Sequence, residues 1–123
     1  LIEENNIEFN NTIDDKWEEV REIVLKRDNY ICQLSIRLTD IEWNYIQEFH
    51  LEEFKMFSKI LDCAHMYPKG SNPEIKYNPD YVVTLCRYFH SLLEQFKNPV
   101  TRKGINREQR LLWFKRMKVK KIT

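Results

Sequence analysis

Apolar residues recur at helical spacing in the first quarter of the chain: Ile13, Trp17, Val20 and Val24 form one stripe. Thr12 can cap such a helix, and Asp14 and Asp15 suit its positively polarised first turn. The Asp28-Asn29 pair is a turn signal, so the helix is expected to end near Arg27. Residues 1–11, acidic and Asn-rich, read as a flexible lead. Tyr30–Leu38 reads as a short strand or extended stretch. A second helix is expected over Ile41–Phe57, capped by Thr39 or Asp40, with Trp43, Ile46, Phe49, Phe54 and Phe57 on one broad apolar side. His50 lies in that helix among acids and reads as a surface residue.

The pattern then changes period. Ile60–Met66 is short, apolar and flanked by polar residues, as a strand would be. Tyr67–Asp80 carries Pro68, Gly70, Pro73 and Pro79 and reads as loop. Tyr81–Leu85 is β-branched and aromatic, a second strand. Arg87–Phe96 returns to helical spacing through Phe89, Leu92, Leu93 and Phe96, and Asn98-Pro99 ends it. Asn106 with Gln109 three residues later has the form of a capping box opening a last helix to about Lys118. The expected class is α+β: a strand–loop–strand–helix unit flanked by helices, one domain over residues 12–118, and a short basic tail over 119–123.

Composition alters this picture in two places. The formal charge of +1 conceals an asymmetry, because residues 1–60 hold seven Lys/Arg against fourteen Asp/Glu, whereas residues 61–123 hold thirteen against five. A basic half suits a polyanion, nucleic acid above all; a solvated basic face with no partner is the plainer alternative. Cys32, Cys63 and Cys86 form no CxxC pair and are odd in number, so reduced core thiols are expected in preference to a disulfide framework or a structural zinc site. No apolar run approaches membrane-spanning length, and the N-terminal residues are unlike a signal peptide. A soluble cytoplasmic protein is expected, and the absence of an initial Met is what a fragment or processed chain would show.

The candidate chemistry lies in DCAHMYPKGSNPEIKYNPDYVVTLCRYFHSLLE, residues 62–94. It places His65 at the end of one strand and His90 in the first turns of the following helix. Imidazole is the side chain best suited to act as a base or a metal ligand near neutral pH. His90 and Glu94 stand four apart, on one helix face, and could hold one divalent ion. Lys69, Lys76, Arg87, Arg102 and Lys103 surround them, with Arg107, Arg110, Lys115, Arg116, Lys118, Lys120 and Lys121 following; all are read as phosphate contacts. Either histidine taken alone is more readily an ordinary structural residue.

Taken with its flanks, the stretch resembles the HNH, or ββα-metal (His-Me finger), nucleases of phage and bacterial type. WEEVREIVLKRDNYIC at residues 17–32 is similar to the helix before the first motif cysteine of that family, and NPVTRKGI at residues 98–105 is similar to the segment after its last helix. The resemblance runs from Trp17 to about Met117. It implies a metal-dependent DNA endonuclease or nickase acting on double-stranded DNA, with His65 as general base, His90 as metal ligand, and Mg²⁺ or Mn²⁺ as cofactor. Glu94 falls where some members have a second helical ligand, and Asp62 or Asp80 could assist. Tyr81 stands where the family has its central Asn, nine residues before His90, and its hydroxyl or Asn78 would take over that role. Ala64 stands where many members place a further ligand. Cys32 and Cys86 match two of the family's zinc-knuckle positions. The additional helix between Cys32 and His65 could serve a homodimer or DNA contact. A catalytically inactive DNA-binding module on the same fold, or a helical protein-interaction domain, is the alternative.

Overall fold

The structure, a computed structural model, describes residues 2–68 and 73–117, with side chains described for 15–68 and 74–117. Among these residues it is an α+β fold: helices packed around a two-stranded antiparallel ribbon. No helix among the described residues is long and apolar enough to cross a membrane.

Helix α1 runs Ile2–Arg27, eleven residues longer at its start than the apolar stripe implies. The expected flexible lead is helical from Ile2 onward, and Thr12 lies inside the helix, not at its cap. Neither Pro nor Gly interrupts residues 2–27, and Asn weakens a helix without breaking it. The expected C-terminal end is the observed one. Asn29 and Tyr30 adopt left-handed φ values of 55° and 57°, and Tyr30 N–H closes the helix on the Leu25 carbonyl at 2.9 Å. This reversal leads into turns over residues 33–37, so of the short strand or extended stretch expected at Tyr30–Leu38 the strand does not form.

Thr39 caps α2 (Asp40–Phe49) in a reciprocal capping box with Glu42. The single helix expected to Phe57 breaks at His50 (φ −139°, ψ 22°), and α3 (Leu51–Phe57) follows. The break redirects Phe54 onto Trp43, Tyr88 and Phe89, with ring centroids 5.3, 5.4 and 5.8 Å away. Aromatic packing of this kind outweighs the continuity of one helix. His50 itself is half-buried, with Nε2 shielded and unpartnered, and is not the surface residue expected.

The ribbon pairs β1 (Leu61–His65) with β2 (Val82–Cys86), Leu61 opposite Cys86 and His65 opposite Val82. The connecting segment holds a short helix α4 (Pro73–Lys76) and a 3-10 turn (Pro79–Tyr81), where only loop is expected. Prolines at the first position of each favour these turns, since a helix start needs no N–H there. Helix α5 (Arg87–Glu94) follows β2 directly. It buries Tyr88, Phe89, Leu92 and Leu93 against one face of the ribbon, while Cys63 and Val82 on the other face pack under Val20 and Val24 of α1. The alternation of Val82, Val83, Thr84 and Leu85 between two covered faces explains why every residue of β2 is buried. Helix α6 (Arg107–Arg116) begins at the expected Asn106–Gln109 capping box and inserts Phe114 into the core.

A two-stranded ribbon leaves the outer edge of β2 with unpaired backbone groups. The end of α1 satisfies them. Buried Asp28 accepts from Thr84 N–H at 3.0 Å, Gln33 N–H donates to the Thr84 carbonyl at 3.0 Å, and Arg27 donates to the carbonyls of Val82 and Pro79 at 2.7 and 2.9 Å. Arg27 in turn binds both carboxylate oxygens of Asp28. Removing one partner of such a buried pair strands the other. Asp28→Ala is expected to lower unfolding free energy by about 3 kcal/mol, read as a lower urea midpoint at unchanged m-value; an unchanged midpoint would show that the edge does not depend on this carboxylate.

Candidate active site

A cleft of about 550 Å³ lies along β1 between α1 and α5, with Lys76 and Tyr77 also lining it. Trp17 and Arg21 line it from α1, Asp62, Cys63 and His65 from β1, and Arg87, His90 and Glu94 from α5. The two histidines singled out in the sequence therefore face one cavity, as do Asp62 and Glu94.

His65 ends β1, where its ring stacks on Trp17 at a centroid distance of 4.7 Å and an interplanar angle of 20°. Its Nε2 lies 3.0 Å from the Lys76 carbonyl. A carbonyl only accepts, so Nε2 carries the proton of the neutral ring and Nδ1 carries the lone pair. Burial pushes the His65 pKa below its ordinary value, outweighing the bond to Lys76 and the charge of Glu94. The ring is thus neutral at pH 7 and fixed in one tautomer, the state a general base requires.

His90 is the opposite case. Burial would lower its pKa, but hydrogen bonds to Glu94 and Asp62 and their charges together raise it. Its Nδ1 lies 3.1 Å from Asp62 Oδ2 and its Nε2 lies 3.3 Å from Glu94 Oε1. Asp62 is also gripped by Arg87 at 3.0 and 3.2 Å, and although burial works to raise its pKa, Arg87 and His90 hold it below the ordinary carboxylate value. Among the described residues, no group of three or more His, Cys, Asp or Glu side chains is gathered as a ready metal cage. The pair of His90 Nε2 and Glu94 Oε1 fits one divalent ion as neighbouring ligands, because two cis ligands at about 2.1 Å in octahedral geometry stand about 3 Å apart. Asp62 on Nδ1 then has the position of the carboxylate that orients a metal-binding imidazole.

The other residues read from the sequence are dispersed. Tyr81 sits in the 3-10 turn and packs edge-on against Tyr67 at 5.7 Å, outside the cleft lining. Asn78 shapes that turn by accepting from Asp80 N–H at 2.9 Å. Lys76 and Arg87 reach the cleft, and Lys103 and Arg107 are exposed on the C-terminal half. Arg102 lies 3.7 Å from Glu53. Arg110, expected to contact phosphate, is instead buried: it donates to the carbonyls of Leu93, Met66 and His65 at 3.1, 2.7 and 3.1 Å. Arg116 is likewise engaged, by Glu42 and the Arg37 carbonyl. Lys69, Lys118, Lys120 and Lys121 lie outside the described residues. The thiols are free; Cys32 and Cys86 are hydrogen-bonded neighbours in the core, and burial pushes Cys63 up to about 11.

Trp17, Arg21, Cys63 and Tyr77 are cleft residues that sequence reading did not place in the site. For Trp17 and Arg21, a separation of four on α1 was the available signal, since it puts both on one helix face. No family model, curated protein or solved structure matches the chain.

The imidazoles should titrate on opposite sides of the ordinary value near 6.5, His65 below it and His90 above it. His65 is therefore expected to favour the folded state above that value and to oppose it as pH falls, with His90 doing the reverse. Proton NMR titration of the ring C–H signals checks this, and Glu94→Gln should bring both midpoints down, His90 further than His65, since His90 loses a hydrogen-bond partner as well as a charge. Midpoints in the reverse order would contradict the site as described.

Proposed function

We propose that the chain is a metal-dependent DNA endonuclease or nickase of the HNH, ββα-metal type. The observation that carries this reading is the pairing of unlike histidines across one cleft: a neutral, tautomer-fixed His65 on the strand and a carboxylate-flanked His90 on the helix. The order strand, loop, strand, helix supports it, as does the excess of Lys/Arg in residues 61–123.

In this reading His65 Nδ1 takes the proton of a water attacking the phosphorus, while Lys76 holds the opposite ring nitrogen through its carbonyl. Trp17 keeps the ring from rotating and excludes solvent from one of its faces. Arg21, Lys76 and Arg87 offer positive charge to the non-bridging oxygens. A Mg²⁺- or Mn²⁺-type ion held by His90 and Glu94 would supply charge neutralisation at the phosphate and the leaving oxygen. Asp62 orients His90 for that task and Arg110 holds Glu94 from behind, with Nη2 3.9 Å from Oε1.

His65→Ala should slow nicking of supercoiled plasmid by about 10²–10⁴-fold, the contribution of a general base, and leave duplex affinity near that of the parent. EDTA should abolish the parent's nicking. An equal rate in the mutant would remove His65 from the mechanism. Salt-sensitive duplex binding with no metal-stimulated nicking would favour the second reading, an inactive DNA-binding module. The engagement of both His90 ring nitrogens by carboxylates is the observation on its side.

A further inference from the structure

His65 is the last residue of β1, and the chain bends at residues 66 and 67. The end of a strand is where a ribbon opens most readily, yet a general base needs its ring held to within a fraction of an ångström. Two contacts hold the ring itself, the stack on Trp17 and the bond to the Lys76 carbonyl. Neither reaches the main chain that carries the ring. The carbonyls of His65 and Met66 do have a common partner. Along a strand successive carbonyls point to opposite edges, but here both accept from one guanidinium: Arg110 Nη2 donates to His65 at 3.1 Å and Nη1 donates to Met66 at 2.7 Å. Neighbouring carbonyls converge in this way only where the chain has left the pleat, so the bend and the guanidinium match each other. The third direction of the fork, Nε, donates to the Leu93 carbonyl at 3.1 Å, on the helix that carries His90 and Glu94.

Arg110 is itself fixed from α6. Its N–H donates to the Asn106 carbonyl at 3.0 Å, and the fully buried ring of Phe114, one helical turn on, faces the guanidinium at 4.7 Å. At 3% exposure the side chain does not meet substrate. We propose that Arg110 is a positioning residue for the base: it fixes the peptide between His65 and Met66, and through it the His65 ring, relative to the face of α5 that presents His90 and Glu94. The inference rests on the DNA-cleaving reading, which gives the base its task, and deepens it by naming what keeps the base in register with the opposite wall of the cleft. The requirement is for a fork and not for a charge. Three carbonyls in three directions need N–H groups spread over one rigid plane. A lysine side chain keeps the charge but carries its donors on a single nitrogen, which cannot stand where Nε, Nη1 and Nη2 stand together.

Arg110→Lys tests this with two readouts. Assayed well below its own thermal midpoint, the variant should nick supercoiled plasmid with kcat lowered by about 10²-fold, the effect of a reacting group displaced by roughly 1 Å, and with KM near the parent's. The second readout needs neither metal nor DNA. Above the ordinary imidazole pKa of about 6.5, the ring ¹⁵N shifts of His65 in the parent should be those of a fixed Nε2–H tautomer, and in Arg110→Lys they should move toward the average of the two tautomers. A residue that only stabilised the fold would lower the thermal midpoint and leave kcat and the ring shifts at parental values, and that result would overturn the proposal while leaving the nuclease reading intact. If Arg110→Lys does not fold, the parent decides. Its Arg110 should give separate Nη1 and Nη2 signals with a coupling across the hydrogen bond to the His65 carbonyl carbon; one averaged signal without that coupling would overturn the proposal. A parent with no metal-stimulated nicking would instead overturn the nuclease reading and, with it, the kinetic role given to Arg110.

Discussion

The guanidinium of Arg110 ties together the two halves of the site. It lies buried between the end of β1 and the end of α5 and donates to three carbonyls, those of His65, Met66 and Leu93. Phe96 and Phe114 face the cation at 5.5 and 4.7 Å, and Glu94 flanks it. Burial lowers its pKa from the ordinary arginine value, with Glu94 acting the other way. Strand ends and helix ends both leave carbonyls without partners, and one planar group with five donors can serve several of them at once. Lysine has no such fork. The distance between the histidine on the strand and the histidine on the helix is therefore set by a residue that touches neither ring.

The same economy of polar contacts governs the ribbon. Two strands alone do not make a stable sheet, and here each edge meets a different need. The outer edge of β2 is closed by Arg27, Asp28 and Gln33, so it behaves as though a third strand were present. The outer edge of β1 is left to form the floor of the cleft. Helix α1 thus has two tasks: its last turn seals one edge of the ribbon, and Trp17 and Arg21 form a wall over the other. A helix placed to do the first is already close enough to do the second.

Much of the element order was legible in the sequence because it depends on local chemistry. Asp28-Asn29 ended α1, Asn106 and Gln109 opened α6, and the change from helical to alternating apolar spacing marked the ribbon. What could not be read was set by contacts distant along the chain. The break at His50 follows from Phe54 meeting Tyr88 and Phe89, residues more than thirty positions away. Arg110 and Arg116 were read by their charge as phosphate contacts, and nothing in their neighbours signalled that carbonyls of Met66 and Arg37 and the carboxylate of Glu42 would claim them. Of the candidate site, His65, His90, Asp62 and Glu94 were legible through spacing on one strand and one helix. Tyr81 was not, because a 3-10 turn removes it from β2 and turns its ring to Tyr67.

The charges around His90 in the cleft are nearly balanced. Asp62 and Glu94 face Arg87 and His90, and His90 can match both carboxylates only when it carries its second proton. A divalent cation at His90 Nε2 would take the place of that proton, so the two compete for the same electron pair, and the carboxylates that raise the His90 pKa would favour either one. Lys76 and Arg21, the latter 3.8 Å from Glu18, add positive charge to the cleft lining. His65, held neutral by burial on Trp17, adds none. The cleft therefore sets the lone pair of a neutral imidazole beside a cluster whose charge is controlled by the protonation of a second one.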